Sequence, residues 1–371
     1  MRESSRVSEI STSLIRRMFE IVEKAKREGK EVINLSIGEP DFDTDVEIIN
    51  RACKAMKSGF THYTSNFGIP ELREAIAERY GVDAKNVMVT AGASEALLNA
   101  SLAFIEEGSK VVIPTPNFLS YFVYAKMCKA KVIQIKTHQN GFELNPDQLN
   151  EVMDKDVSII FLNYPNNPTG VVADESKLKA IVEIAQDHDA VVISDEIYDQ
   201  IYYDKKPVSL AGYENVIVVN GFSKSLAMTG WRVGFVIADE KLMDSMLKVH
   251  QVNGVCAPAF AQKAIAEVLL EGIADEITKR MVEEFRKRRD FVYRSLKKMF
   301  EVVKPEGAFY IFPNVGMNCM EFAEKLLESK GVAVTPGIPF GEGNESYVRI
   351  SYATSMQNLE KAMQKIEEFI S

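Results

Sequence analysis

The feature that most constrains this chain is an alternation that fills residues 87–237. Short apolar runs recur at Val87–Val89, Val111–Ile113, Val132–Ile135, Ser158–Leu162, Ala190–Ser194, Val216–Val219 and Val233–Ile237. Longer helical patterns at Ser94–Phe104, Ser120–Lys126 and Glu175–His188 separate several of them. Strand-length runs alternating with helices predict an α/β fold around a mainly parallel sheet. Upstream, helices are expected over about 45–58 and from Pro70, a proline suited to a first helical turn. Beyond about residue 240 the texture changes to long helices, followed by strands expected at 300–304, 308–313 and 346–353 and by a last helix. That second texture is α+β. Leu14, Ile15, Met18, Phe19 and Val22 form the apolar stripe of a helix over 14–28, expected to pack on it. A length of 371 residues exceeds what one core organises, so two domains are expected. The larger spans 45–275; the smaller is built from both chain ends, 1–44 and 276–371.

Several functions are disfavoured by what is missing. A net charge of -9 argues against a nucleic-acid partner. No apolar run is long enough for a membrane span, and the polar start MRESSRVSEI lacks a secretory core, so cytoplasm is expected. Cys53, Cys128, Cys256 and Cys319 lie far apart and read as buried thiols. His62, His138, His188 and His250 are equally scattered, so no metal is expected. The phosphate loop GxxxxGK[ST], a strand-to-helix GxGxxG, GxSxG and HExxH are all absent.

The chemistry-bearing residues sit at strand ends. The run AVVISDEIYDQ carries Asp195 and Glu196 to the carboxyl edge of a parallel sheet, where such proteins place their ligands. Taken alone, a helix cap with a solvated neighbour is the simpler reading. The run NVIVVNGFSKSLAMTGWRVGF changes the balance, because Ser223, Lys224 and Arg232 share one short turn between strands. An amine, a hydroxyl and a guanidinium together suit a phosphorylated aldehyde, with the amine as nucleophile. A carboxylate on a nearby strand end could meet the pyridine nitrogen of that aldehyde.

SDEIYDQ, NYPNNPTG and NGFSKSLAMTGWRVG together resemble the class I/II aminotransferases of the aspartate aminotransferase fold, fold type I of the pyridoxal-phosphate enzymes. The resemblance runs from about residue 30 to the C-terminus and is nearest to the archaeal and bacterial aromatic or broad-specificity branch. It implies pyridoxal 5'-phosphate as cofactor, a PLP-binding large domain and a homodimer with shared sites. Lys224 would carry the cofactor as a Schiff base and shuttle a proton, and Asp195 would pair with the ring nitrogen. Tyr198 and Asn167 would meet the ring's phenolic oxygen, and Phe118 would stack on its face. Ser223, Arg232, Ala93 and Ser94 would hold the phosphate, with Tyr63 reaching it from the neighbouring subunit. Arg349 would bind the substrate α-carboxylate, helped by Gly38 and Asn167.

Plain readings compete with each assignment. Tyr198 and Phe118 could be packing residues, Tyr63 an ordinary aromatic at a permissive position, Ser94 a helix cap and Arg349 a surface strand charge. Lys224, Asp195, Arg232 and Asn167 agree in type, order and spacing across separate motifs. The basic run Arg286–Arg289 reads as a solvated helix face. The reaction expected is transfer of an amino group between an L-amino acid and a 2-oxo acid such as 2-oxoglutarate. A β-lyase or racemase remains an alternative, as does a ligand-sensing regulator that retains the fold. Ser94 stands where acid-preferring relatives often carry lysine, and Ile37, Phe118 and Tyr63 are apolar or aromatic. Both features favour aromatic or broad specificity, with aspartate still possible.

Overall fold

The computed structural model of the chain describes residues 3–8, 10, 22, 27, 29 and 31–371. After a two-residue strand β1 (Ile33–Asn34), seven strands build the central sheet. They are β2 (Val87–Thr90), β3 (Lys110–Thr115), β4 (Lys131–Lys136), β5 (Val157–Asn163), β6 (Val191–Asp195), β7 (Val216–Gly221) and β8 (Gly234–Ile237). Their order is β2-β8-β7-β6-β5-β3-β4, and β3 to β7 pair in parallel with their neighbours. The exception is β8, antiparallel to both β7 and β2. The chain therefore has the expected α/β fold with a mainly parallel sheet.

Helices cover both faces, which is why these strands read as continuous apolar runs. Alternate residues go to opposite sides. Val112, Ile160, Val192 and Val218 pack with Ile76, Leu178, Ile181 and Ile265. Val111, Ile159, Ile193 and Ile217 pack with Leu97, Tyr121, Leu242 and Met246. Each such side chain contributes roughly 1.5–3 kcal/mol when fully buried.

A second core packs residues from both chain ends against Ile197, Tyr198, Ile201 and Tyr203 of the segment after β6. Strands β9 (Tyr310–Ile311), β11 (Thr335–Pro336) and β12 (Val348–Ser351) form a small antiparallel sheet, while β10 (Val332–Ala333) pairs in parallel with β1. Val22, Ile33 and Leu35 pack there with Phe285, Phe322, Leu326, Leu359 and Ile366. The last five come from the helices Ile273–Leu296, Cys319–Lys330 and Met356–Ile370.

Several expectations need correction. Residues 300–304 are not a strand; Glu301 makes only an isolated bridge to Asn314. The segment is largely exposed, so its valines have no sheet face to bury. The helix expected over 14–28 lies outside the described residues except for Val22 and Arg27. Of the cysteines only Cys319 is buried; Cys53 is exposed, and Cys128 and Cys256 are half-buried.

The basic run is the largest departure, because Arg288 and Arg289 are buried. They follow Phe285 by three and four residues and precede Val292 by four and three, so the helix turns them onto its buried stripe. The Arg289 guanidinium lies 4.6 Å from the Tyr203 ring centroid and donates to Asp204 and to the Pro305 carbonyl. Arg288 pairs with Asp41 at 2.6 Å and with Glu284.

Candidate active site

The carboxyl edge of the central sheet is concave and polar. β5, β6 and β7 end there at Asn163, Asp195 and Gly221, the last leading directly to Ser223 and Lys224. Because β8 runs against its neighbours, its beginning lies on the same edge and brings Arg232 with it. β2 leads through Gly92 into the helix Ala93–Phe104, and β3 leads to Phe118. Arg349 on β12, Tyr310 on β9 and Gly38 after β1 close the other side. The result is a cavity of about 300 Å3 of the size that takes a small cofactor. Every residue assigned to the cofactor or the α-carboxylate lines it except Tyr63; Ile37 and Glu196, also singled out from the sequence, do not. Tyr63 is 85% exposed and stands apart.

Asp195 is buried, yet the hydrogen bonds made by its carboxylate come from the Tyr121 hydroxyl at 2.7 Å and the Ile197 N–H at 3.2 Å. Burial pushes it up to about 6, against the pull of those bonds and of the Lys224 charge. Asn163 fixes the local backbone: its amide donates to the Asp195 carbonyl and its oxygen accepts the Asn167 N–H. Burial lowers the Lys224 amine to about 8; Glu39 and Asp195 oppose the shift, while Arg349 and Arg232 add to it. Lys224 Nζ donates to the Gly38 carbonyl at 2.7 Å.

On the far wall, Arg349 is held from several directions. Its Nη1 donates to Asn167 Oδ1 at 3.0 Å and its Nη2 to the Ser36 carbonyl at 2.7 Å. The guanidinium lies over Tyr310, 4.6 Å from the ring centroid, with Phe340 at 5.3 Å. Its Nε is buried and has no partner. Tyr310 in turn shares a hydrogen bond with Tyr198, oxygen to oxygen at 2.9 Å.

The opposite end is an anion site in the making. The helix Ala93–Phe104 is capped by Gly92, which has no side chain to accept its first N–H groups. A Cβ on Gly234 would stand 2.5 Å from Ala93 N, so β8 and the helix start meet backbone to backbone. Arg232 lies alongside, donating to the Thr229 carbonyl at 2.9 Å and, more weakly, to the Ala91 carbonyl at 3.4 Å. Ser223 is buried beside Lys224.

Taken together, the cavity offers a buried carboxylate that makes no hydrogen bond to a cation, an uncapped helix start beside an arginine, and a depressed lysine between them. A planar cationic ring with an aldehyde and an anionic tail fits those three features. Sequence reasoning missed Tyr121, Tyr310, Asn163 and Thr229. The Tyr121 ring is buried and its hydroxyl reaches Asp195, while Tyr310 presents its ring to Arg349 and its hydroxyl to Tyr198. Asn163 did carry a signal, as the polar last residue of an apolar strand.

Residues 30–366 match the family described as aminotransferase class I and II. The chain is 43% identical over 380 residues to the aspartate aminotransferase of Pyrococcus horikoshii, covering 98% of this chain and 96% of that one. It is 38% identical over 387 residues to aromatic-amino-acid aminotransferase 2 of Thermococcus litoralis, covering 100% and 98%. A solved structure of a Thermus thermophilus aspartate aminotransferase double mutant superposes with a TM-score of 0.95 at 33% identity, over 99% of this chain and 100% of that one.

Proposed function

The chain belongs to the class I and II aminotransferases, pyridoxal-phosphate enzymes of fold type I, and we propose how its own residues divide the work. The observation that carries the reading is the convergence of Lys224, Asp195, Arg232 and Arg349 on one cavity from separate segments. Bound pyridoxal phosphate supplies the electron sink that lets a bond at the substrate Cα break. Asp195 would pair with the ring nitrogen and hold a proton there, which would relieve its own buried charge. Tyr198 and Asn167 would hydrogen-bond the phenolic oxygen, and Phe118 would lie against the ring face. Ser223, Arg232, the N–H groups of Ala93 and Ser94 and the Ser94 hydroxyl would hold the phosphate. Lys224 would be the attachment point and would then accept and return the proton at the substrate Cα. An amine near 8 can both accept and release a proton at neutral pH. Arg349 grips the α-carboxylate with its planar fork, assisted by Gly38 and Asn167.

The substrate class follows from what the cavity has left over. Its cationic side chains are Lys224, Arg232 and Arg349, and each has a role already. The remaining wall includes Leu97, Leu119 and Ile197, which suits an aromatic or aliphatic side chain. The favoured reading is therefore an aromatic or broad-specificity enzyme using a 2-oxo acid such as 2-oxoglutarate as acceptor. Residues 45–275 would form the large domain, with 1–44 and 276–371 as the small one. Gly38 and Arg349 both belong to the latter, so carboxylate binding would draw the two together. The chain would work in the cytoplasm as a homodimer, Tyr63 reaching the phosphate of a second copy.

The test is an absorbance spectrum of the purified protein during titration with a panel of L-amino acids. A visible band that fades with an amino acid and returns with 2-oxoglutarate is expected, and the amplitudes rank the substrates. A response without that return would favour a β-lyase or racemase. No band after addition of pyridoxal phosphate would overturn the assignment of Lys224.

A further inference from the structure

The start of the helix Ala93–Phe104 is braced from behind by a buried acid–imidazole pair. Glu95 sits in its first turn and His250 on the helix Glu240–Asn253. Their side chains are 8% and 0% exposed, and His250 Nδ1 lies 2.6 Å from Glu95 Oε1. The carboxylate accepts, so Nδ1 carries the proton and the buried Nε2 is left without a partner. The other Glu95 oxygen bends back to accept the Ala91 N–H at 2.5 Å, and Asn99 Nδ2 donates to Oε1 at 3.1 Å. Space for the carboxylate exists only because residue 254 is glycine: a Cβ there would stand 2.3 Å from Glu95 Oε1.

The consequence reaches the cavity through the two peptide groups that flank one residue, Ala91. The Ala91 N–H is held by Glu95, and the carbonyl of the same residue accepts from Arg232 Nη2. Ala91 also precedes Gly92, whose conformation sets where the N–H groups of Ala93 and Ser94 point. We infer that Glu95 and His250 are positioning residues for the phosphate end of the site, clamping the Ala91–Gly92 turn so that the helix N–H groups and Arg232 converge on one anion. Neither side chain lines the cavity, and neither touches substrate. A carboxylate in a first helical turn suits the helix dipole but sits unhelpfully near a second anion. The histidine proton and the Ala91 N–H turn that charge away from the cavity.

This inference rests on the phosphate site proposed above, and the experiment separates the two. Full-length protein freed of cofactor is titrated with pyridoxamine 5'-phosphate and, separately, with pyridoxamine, which lacks the phosphate. The native chain is expected to prefer the phosphorylated ligand. Glu95→Ala leaves the Ala91 N–H without its acceptor and should weaken that ligand by about tenfold or more, with little change for pyridoxamine. Glu95→Gln keeps an acceptor oxygen and should recover most of the loss. His250→Leu, read beside them in case Glu95→Ala fails to fold, should give a smaller loss of the same selective kind. Equal weakening of both ligands, or a lower melting temperature with both affinities intact, would reduce the pair to ordinary packing and overturn the inference. A native chain with no preference for the phosphorylated ligand would overturn the phosphate site itself, and this inference with it.

Discussion

Within the cavity, individual side chains carry opposed electrostatic costs. Asp195 titrates near 6 in the folded chain, against about 3.9 for a free aspartate. A raised carboxyl pKa means that its contribution to stability is fully present below about pH 4 and is lost as pH rises through 6. At pH 8 the buried charge therefore costs the cofactor-free protein up to about 3 kcal/mol. Asp195→Asn should raise its melting temperature over the native chain, and by more at pH 8 than at pH 5. A gap that does not widen with pH would contradict the burial argument. In the loaded enzyme the same change should lower kcat roughly 100-fold or more, because the carboxylate then faces the charge it is placed to stabilise. Lys224→Ala should abolish both the visible band and multiple turnover. Arg349→Lys keeps a charge but loses the fork, so KM should rise about tenfold for every amino acid alike. An effect confined to acidic substrates would instead mean that Arg349 reads the side chain.

Elements decide where those side chains can be. Most strands of the central sheet were legible because they are buried apolar runs; the edge strand β4 is only partly buried and was read from Val132, Ile133 and Ile135. The site residues at their ends inherited that legibility. Strands β1, β10 and β11 were not legible, since two residues carry no periodicity. Arg288 and Arg289 were misread because charge was weighed above position. Their spacing from Phe285 and Val292 marks the buried stripe, where Asp41, Glu284, Asp204 and two aromatic rings satisfy them. Tyr121 was invisible for another reason: a buried aromatic on a helix gives no sign of where its hydroxyl points. The junction between β8 and the helix Ala93–Phe104 is a backbone-to-backbone contact with no room for a side chain. Gly234→Ala would force a methyl group to within 2.5 Å of Ala93 N and Gly92 C. We expect about 1–3 kcal/mol of destabilisation in urea unfolding, together with weaker cofactor binding as the helix start is displaced. Unchanged cofactor affinity would show that the anion site does not depend on that contact.

At the scale of the whole molecule, the loop after β1 joins the two cores at the active site. Asp41 pairs with Arg288 and Asp45 with Arg280, both on the helix Ile273–Leu296 of the second core. Within the same loop Thr44 donates to the Ala227 carbonyl and accepts from Trp231 Nε1, while Glu39 accepts from Thr229. One stretch of chain thus ties the core that bears Arg349 to the turn that follows Lys224. That leaves Tyr63, which projects from the surface at 85% exposure with no part in its own subunit's cavity. If its hydroxyl serves the phosphate of a second copy, a site always combines Lys224 of one chain with Tyr63 of the other. Tyr63→Ala should then weaken cofactor binding about tenfold, the loss of one charge-assisted hydrogen bond. Lys224→Ala is inactive for an independent reason. When the two variants are unfolded and refolded together, each mixed dimer holds one site with both defects and one with neither. At a cofactor concentration too low to load Tyr63→Ala, the mixture should exceed the summed activity of the separate variants. Strict additivity would confine Tyr63 to its own chain and remove the shared site from the reading.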